Sequence, residues 1–171
     1  MTEAQFNRSR FSEVISWKNF QLVQKKVKDS QKIPYPLSVN NYFVRSKGAN
    51  LLTSLVLFWM KADEVFCYRN NTQGISRKVG NQIKFIPNKG MRGLADIYSM
   101  IGGVVTWIEV KYRKDRQSEY QKKFQFEIER SGGRYWLIRT FDEFLTLYKA
   151  HAGTIRPSDR KTLTPQKEGT N

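Results

Sequence analysis

Three residues have the types and spacing for phosphoryl chemistry: Asp96, Glu109 and Lys111, in the run GLADIYSMIGGVVTWIEVKYR. Alternate side chains of a strand share a face, so Glu109 and Lys111 point one way while Ile108 and Val110 point the other. Gly102-Gly103 has the composition of a two-residue hairpin turn. Pairing about that turn sets Asp96 opposite Glu109 or its neighbour, with Cβ atoms about 4.5–5.5 Å apart. Two carboxylates that close repel each other unless a proton or a cation lies between them. Mg2+ (or Mn2+) suits the position, because Mg2+ binds through one or two carboxylates and fills its shell with waters and substrate phosphates. Such an ion stabilises charge on a phosphoryl oxygen and acidifies an attacking water. Lys111 can orient that water or offset the developing charge, and the Val110 carbonyl is a further candidate ligand. Spacing alone supports equally well an ordinary Glu–Lys pair on the solvated face of a hairpin.

The elements that would hold these residues can be read from pattern. Leu94–Ile101 and Val104–Tyr112 are expected as the two strands of the hairpin. Ser118–Ser131 carries a helical stripe of Tyr120, Phe124 and Ile128, with Ser118 and Gln121 spaced as a capping box and Gly132-Gly133 ending it. Arg134–Arg139 is expected as a strand and Phe141–Ala150 as a closing helix. Upstream, Gly48–Met60 is apolar around most of its circumference and reads as a buried helix. Glu64–Arg69 reads as a strand, and Asn70, Asn71 and Gly74 as the turn after it. The basic, weakly periodic stretch Ile75–Lys89 is expected to be a loop bordering a groove. The order is αβββαβα: an α/β fold with a mixed sheet flanked by helices. Residues 1–46 form a basic, aromatic extension with one or two helices, 47–150 the main domain, and 151–171 a flexible basic tail.

The chain has 171 residues, 30 Lys and Arg against 15 Asp and Glu, and a formal charge of +15. That excess points first to nucleic acid, second to an anionic membrane surface and third to solubility alone. Arg69, Arg77, Lys78, Lys84, Lys89, Arg92, Arg113, Lys114 and Arg116 flank the candidate site in sequence. Together they suit phosphate contacts that give affinity without reading bases. The single cysteine, Cys67, excludes an intrachain disulfide and fits a core thiol in a reducing, cytoplasmic setting. No signal-peptide pattern opens the sequence, and the longest apolar run is too short to span a bilayer. His151 is assigned no role.

The run from Gly93 to Phe144 resembles the virus-type replication-repair nuclease (VRR-NUC) branch of the PD-(D/E)xK superfamily. The likeness rests on Gly93, Ala95-Asp96, Glu109-Val110-Lys111, Ser118 with Gln121, Gly132-Gly133, and Arg139 with Asp142. Tyr68–Asn71 followed by Gly74 is also similar to the strand and turn that precede the site in that family. The resemblance spans roughly residues 48–150. It implies a restriction-endonuclease-like core, Asp96 and Glu109 as metal ligands, Lys111 as the catalytic lysine, and Gln121 as an active-site polar residue. For Gln121 the capping box is an equal alternative, and both roles are compatible.

The resemblance further implies a metal-dependent endonuclease acting on DNA, structure-directed and of phage or mobile-element type. Some relatives act as dimers on branched DNA such as Holliday junctions, so a homodimer and a host-cytoplasm setting are implied with it. A nuclease-fold binding protein with weak or lost catalysis is the second reading. Two departures stand out. Ala95 replaces the usual proline, and Asn50 lies nearest to where the family often carries a metal-binding Glu in its first helix.

Overall fold

The computed structural model describes residues 2–29, 47–70, 75–80, 82–86 and 91–153, with side chains for all of these except 28, 75–77, 79 and 83–86. The helices are α1 (Glu3–Asn7), α2 (Trp17–Asp29), α3 (Gly48–Ala62), α4 (Glu119–Arg130) and α5 (Phe141–Ala152), with a 3-10 turn at Arg10–Glu13. The strands are β1 (Cys67–Arg69), β2 (Ile75–Val79), β3 (Gln82–Ile86), β4 (Ile97–Ile101), β5 (Val104–Val110) and β6 (Arg134–Ile138). A four-stranded mixed sheet has the order β1-β4-β5-β6, and β2-β3 forms a separate two-stranded ribbon. β1 and β5 run antiparallel to β4, while β6 runs parallel to β5. Without the ribbon, the order from α3 to α5 is αβββαβα.

The hairpin register follows from its turn. Ile101 pairs with Val104 and Ile97 with Ile108, and Gly102 and Gly103 both take positive φ, 59° and 77°. Two left-handed residues in succession match the twist of the flanking strands, and glycine adopts them without a Cβ clash. One step beyond the last pair, the same register sets Asp96 opposite Glu109.

One sheet face packs on a large core. α3 contributes Leu51, Leu52, Leu55, Val56 and Met60, the sheet Ile97, Ile101, Ile108 and Ile138, and α5 Phe141 and Phe144, all fully or nearly fully buried. The N-terminal segment belongs to this same core through Phe6, Phe11, Val14, Ile15, Phe20 and Val23. It is also tied by backbone: Phe141 N donates to Val14 O at 2.7 Å, and Asp142 accepts from Ser16 N at 2.8 Å and Asn19 Nδ2 at 2.6 Å. α4 covers part of the opposite face, where Phe124 packs with Ala95, Tyr135 and Trp107.

The stretch expected as a loop from Ile75 to Lys89 is instead a β-ribbon over 75–86, with Val79 paired to Gln82 across a two-residue connection. Its ladder needs only backbone groups in register, so the basic residues that blurred its apolar alternation did not prevent pairing. The other strands are shorter than expected. The Glu64–Arg69 strand is only Cys67–Arg69, because Asp63 and Glu64 complete the turn that ends α3, with Val65 N bonded back to Met60 O. The expected tail from residue 154 onward and the Pro34–Pro36 connector lie outside the described residues. No described helix is long and apolar enough to cross a membrane.

Candidate active site

Asp96 sits where β4 gives out. The Val110 N–H lies beyond the last β4–β5 pair and donates to Asp96 Oδ2 at 2.9 Å, so a carboxylate takes the place of a ladder carbonyl. Asn70, just past β1, clamps the Asp96 backbone by donating from its N–H to Asp96 O at 2.8 Å and from Nδ2 to Ala95 O at 3.0 Å. Gly93 allows the preceding loop to press against the start of α4. Its φ is +85°, and a Cβ there would lie 2.3 Å from Tyr120 O. Ala95, in the position where the resembled family has proline, is fully buried beneath α4.

Glu109 and Lys111 share a face of β5, as alternation requires, and both are buried, at 2% and 5% exposure. Lys111 Nζ lies 2.9 Å from Glu109 Oε1 and 3.5 Å from Asp115 Oδ2. Gln121, in the first turn of α4, joins the group. It donates from Nε2 to Glu109 Oε1 at 2.5 Å and accepts from Lys111 Nζ on Oε1 at 3.0 Å. The same side chain completes the capping box. Ser118 N donates to Gln121 Oε1 at 2.9 Å, and Gln121 N donates to Ser118 Oγ at 3.3 Å. One conformation thus places Gln121 both in the capping box and against Glu109 and Lys111.

The contacts from Lys111 and Gln121 both fall on Glu109 Oε1. Its other oxygen, Oε2, is buried and has no hydrogen-bond partner. Burial first, and then the charge of Asp96, push the Glu109 carboxyl up to about 7, against the opposing pull of Lys111. Asp96 is also raised by burial, with the Val110 N–H and the charges of Arg69 and Lys111 acting the other way. An unpaired buried carboxylate oxygen is costly, and a second carboxylate beside it adds to that cost.

A divalent cation fits this chemistry, because it would satisfy Oε2 and relieve the repulsion from Asp96. Among the described residues no group of three or more His, Cys, Asp or Glu is arranged to hold a metal. Two carboxylates meet the smaller requirement of Mg2+, which takes its other ligands from water and phosphate. Asp96 and Glu109 would hold the ion, and the Val110 carbonyl remains the further candidate. Asn50 is committed elsewhere, since its Oδ1 accepts from Arg69 Nη2 at 2.6 Å.

Among the described residues, the basic side chains named from sequence do not gather as one group. Arg69 is close enough to Asp96 for its charge to act on that carboxyl. Arg92 lies against Tyr120, 5.5 Å from the ring centroid. Arg113 turns to Glu13, at 3.3 Å, and lies 5.0 Å from the centre of the Tyr112 ring. Lys114 and Arg116 are exposed on the loop after Lys111. Arg139 braces that loop by donating to Arg113 O and Asp115 O, each at 3.0 Å. Lys78 is exposed on the ribbon, whereas the side chains of Arg77 and Lys84, and all of Lys89, lie outside the described residues. Cys67 is half-buried against the core. His151 Nδ1 lies 2.8 Å from Leu147 O, in a packing role on α5.

Two neighbours of the site were not singled out from sequence. Asp115 reaches Lys111 and raises both carboxyls; its position four residues after Lys111 was the only signal. Tyr135 buries its hydroxyl close to Glu109 and Gln117 without a hydrogen bond of good geometry, and burial and the charge of Glu109 raise its pKa. A cavity of about 690 Å3, lined by Arg8, Arg10, Lys47 and Arg113 with Tyr112, was also missed. It is assembled from three distant segments and so leaves no local pattern. No protein-family model, curated protein or solved structure matches the chain.

Proposed function

We propose that the protein is a Mg2+- or Mn2+-dependent endonuclease with a restriction-endonuclease-like core of the PD-(D/E)xK, VRR-NUC kind. It hydrolyses DNA phosphodiesters, with branched DNA as its preferred substrate. The observation that carries this reading is the buried Glu109 Oε2, without a hydrogen-bond partner, beside Asp96, while Oε1 of the same carboxyl meets Lys111 and Gln121. A structural ion pair would have no use for an unpaired carboxylate oxygen.

When bound, a divalent cation supplies charge neutralisation on the phosphoryl oxygens and lowers the pKa of a nearby water. Asp96 and Glu109 would hold the ion, and Glu109, whose carboxyl is raised to about 7, would have to be deprotonated to do so. Lys111 is held by Glu109 and Gln121 in one orientation, so its ammonium needs no reorganisation to orient water or meet charge on the phosphate. Gln121 fixes both partners and ties them to the helix terminus. Arg69, Lys114 and Arg116 supply phosphate contacts around the site.

The second reading is a nucleic-acid-binding protein of this fold with weak or lost catalysis. It is favoured by Asn50, whose side-chain carbonyl oxygen accepts from Arg69 where a further carboxylate was expected. The two separate on a panel of labelled four-way, flap, single-stranded and duplex DNA in Mg2+, Mn2+ or EDTA. Metal-dependent cutting, strongest on the branched forms, supports the nuclease. Salt-sensitive binding without cutting in either metal supports the binder. Sedimentation of the same samples tests the homodimer.

A further inference from the structure

The sheet face that carries Asp96, Glu109 and Lys111 also carries a cross-strand row of aromatic residues. Tyr68 pairs with Tyr98, Tyr98 with Trp107, and Trp107 with Tyr135, one residue from each of the four strands. The rings follow the register. Tyr68 and Tyr98 stack at 5.1 Å with an interplanar angle of 24°, and Tyr98 meets Trp107 edge-on at 5.1 Å. Phe124 of α4 closes over Trp107 at 4.9 Å and adjoins Tyr135 at 6.3 Å. The β5–β6 end of the row is thus buried beneath α4.

Among the described residues, none covers the β1–β4 end as α4 covers the other. Tyr68 is 45% exposed, and Phe66, two residues earlier and so on the same face, is 66% exposed. Phe66 touches both tyrosines, at 6.1 Å from Tyr68 and 6.2 Å from Tyr98. This open end adjoins the candidate active site. Tyr98 is two residues from Asp96, a separation of about 6.8 Å along the strand, with Tyr68 opposite it on β1 and Phe66 two residues further from the site. A nucleoside whose phosphate lies at the carboxylates can span that distance.

We infer that Phe66, Tyr68 and Tyr98 form a stacking platform for unpaired bases of a nucleic-acid strand whose backbone enters the Asp96–Glu109 site. The proposal rests on the nuclease reading for the position of the phosphate, and adds that the substrate presents unpaired bases beside it. Two features favour nucleic acid over another protein. The exposed surface is made mainly of planar rings, with Met100 beside Phe66, and such rings stack on any base without reading sequence. The chain also carries a charge of +15, which attracts a polyanion and opposes the approach of a second copy.

The test is binding by the full chain in EDTA, where no cutting intervenes, measured by anisotropy with a labelled oligothymidylate and an abasic strand of equal length. The wild type is expected to prefer the base-bearing strand by roughly fivefold or more. Phe66→Ala combined with Tyr68→Ala should abolish that preference while keeping the affinity for the abasic strand, which also reports that the variant is folded. Tyr68→Phe should retain the preference. Equal wild-type affinity for the two strands overturns the proposal, as does an equal loss for both in the double variant. A double variant that sediments as a smaller species with its base preference intact assigns the face to self-association instead. Cutting of DNA without base preference would remove the platform and leave the nuclease. Base preference without cutting would do the reverse.

Discussion

Gln121 and Glu109 meet at 2.5 Å, from the amide Nε2 to the carboxylate Oε1, and that contact joins a helix cap to the candidate catalytic strand. Gln121→Ala removes it together with the contact to Lys111 and half of the capping box. We expect a stability loss of about 1–2 kcal/mol, read by urea denaturation, and at least a tenfold fall in cleavage rate. Gln121→Glu separates the two effects, because Glu serves equally well in a capping box but sets a carboxylate against Glu109. It should recover the cap's share of the stability without recovering the rate. Recovery of both would reduce Gln121 to a cap.

The raised carboxyl of Glu109 makes stability depend on pH. With its pKa moved from 4.5 to about 7, the native state binds more protons than the unfolded chain between those values. Stability from this group is complete below about pH 4.5 and is lost as pH rises through about 7. The loss is on the order of 3 kcal/mol. Urea denaturation in EDTA at pH 5 and pH 8, for the wild type and Glu109→Gln, isolates it. The variant should gain on the wild type by that order between the two conditions; a difference that does not change with pH would remove the burial argument.

The same titration governs cation binding. A divalent ion must displace the proton on Glu109, so its stabilising effect should grow from pH 6 to pH 8. At a hundredfold excess over Kd the gain is about 2.7 kcal/mol, roughly 5–10 °C in Tm for a chain of this size. Differential scanning fluorimetry with Mg2+ and Mn2+ measures it without reference to activity. Asp96→Asn should lose most of the shift, and a full shift in that variant would exclude Asp96 as a ligand.

Gly93 sets the approach of the Asp96 loop to α4. Gly93→Ala places a side chain at φ +85° and drives its Cβ into Tyr120 O, at a cost of about 2–3 kcal/mol. Because Leu94, Ala95 and Asp96 follow directly, cleavage should fall along with stability. Unchanged Tm and rate in this variant would show that the loop has another conformation available.

The site was legible in the sequence where local rules set geometry. Gly102-Gly103 set the hairpin register to within a residue, with Asp96 opposite Glu109 or its neighbour, and Ser118 with Gln121 marked the start of α4. Resemblance alone drew Gln121 towards the site, since capping gives no hint of a second contact twelve residues back along the chain. The ribbon over 75–86 was missed because Arg77, Lys78 and Lys84 interrupt the apolar alternation. The N-terminal segment could be read equally well as a packing extension of the domain or as an arm for nucleic acid, and its place in the shared core bears out the packing. Phe6, Phe11 and Phe20 show that apolar surface must be buried, but not against what. The aromatic row from Tyr68 to Tyr135 draws one residue from each of four strands, so only the completed sheet brings it together.

The nuclease reading stands or falls on the initial rate of cleavage of a labelled four-way junction by wild type, Asp96→Ala and Lys111→Ala, each with Mg2+ and with EDTA. We expect cutting by the wild type in Mg2+ alone, and a loss of about 100-fold or more in either variant with junction binding retained. Cutting that persists in EDTA, or survives in both variants, would contradict a catalytic centre built on Asp96, Glu109 and Lys111.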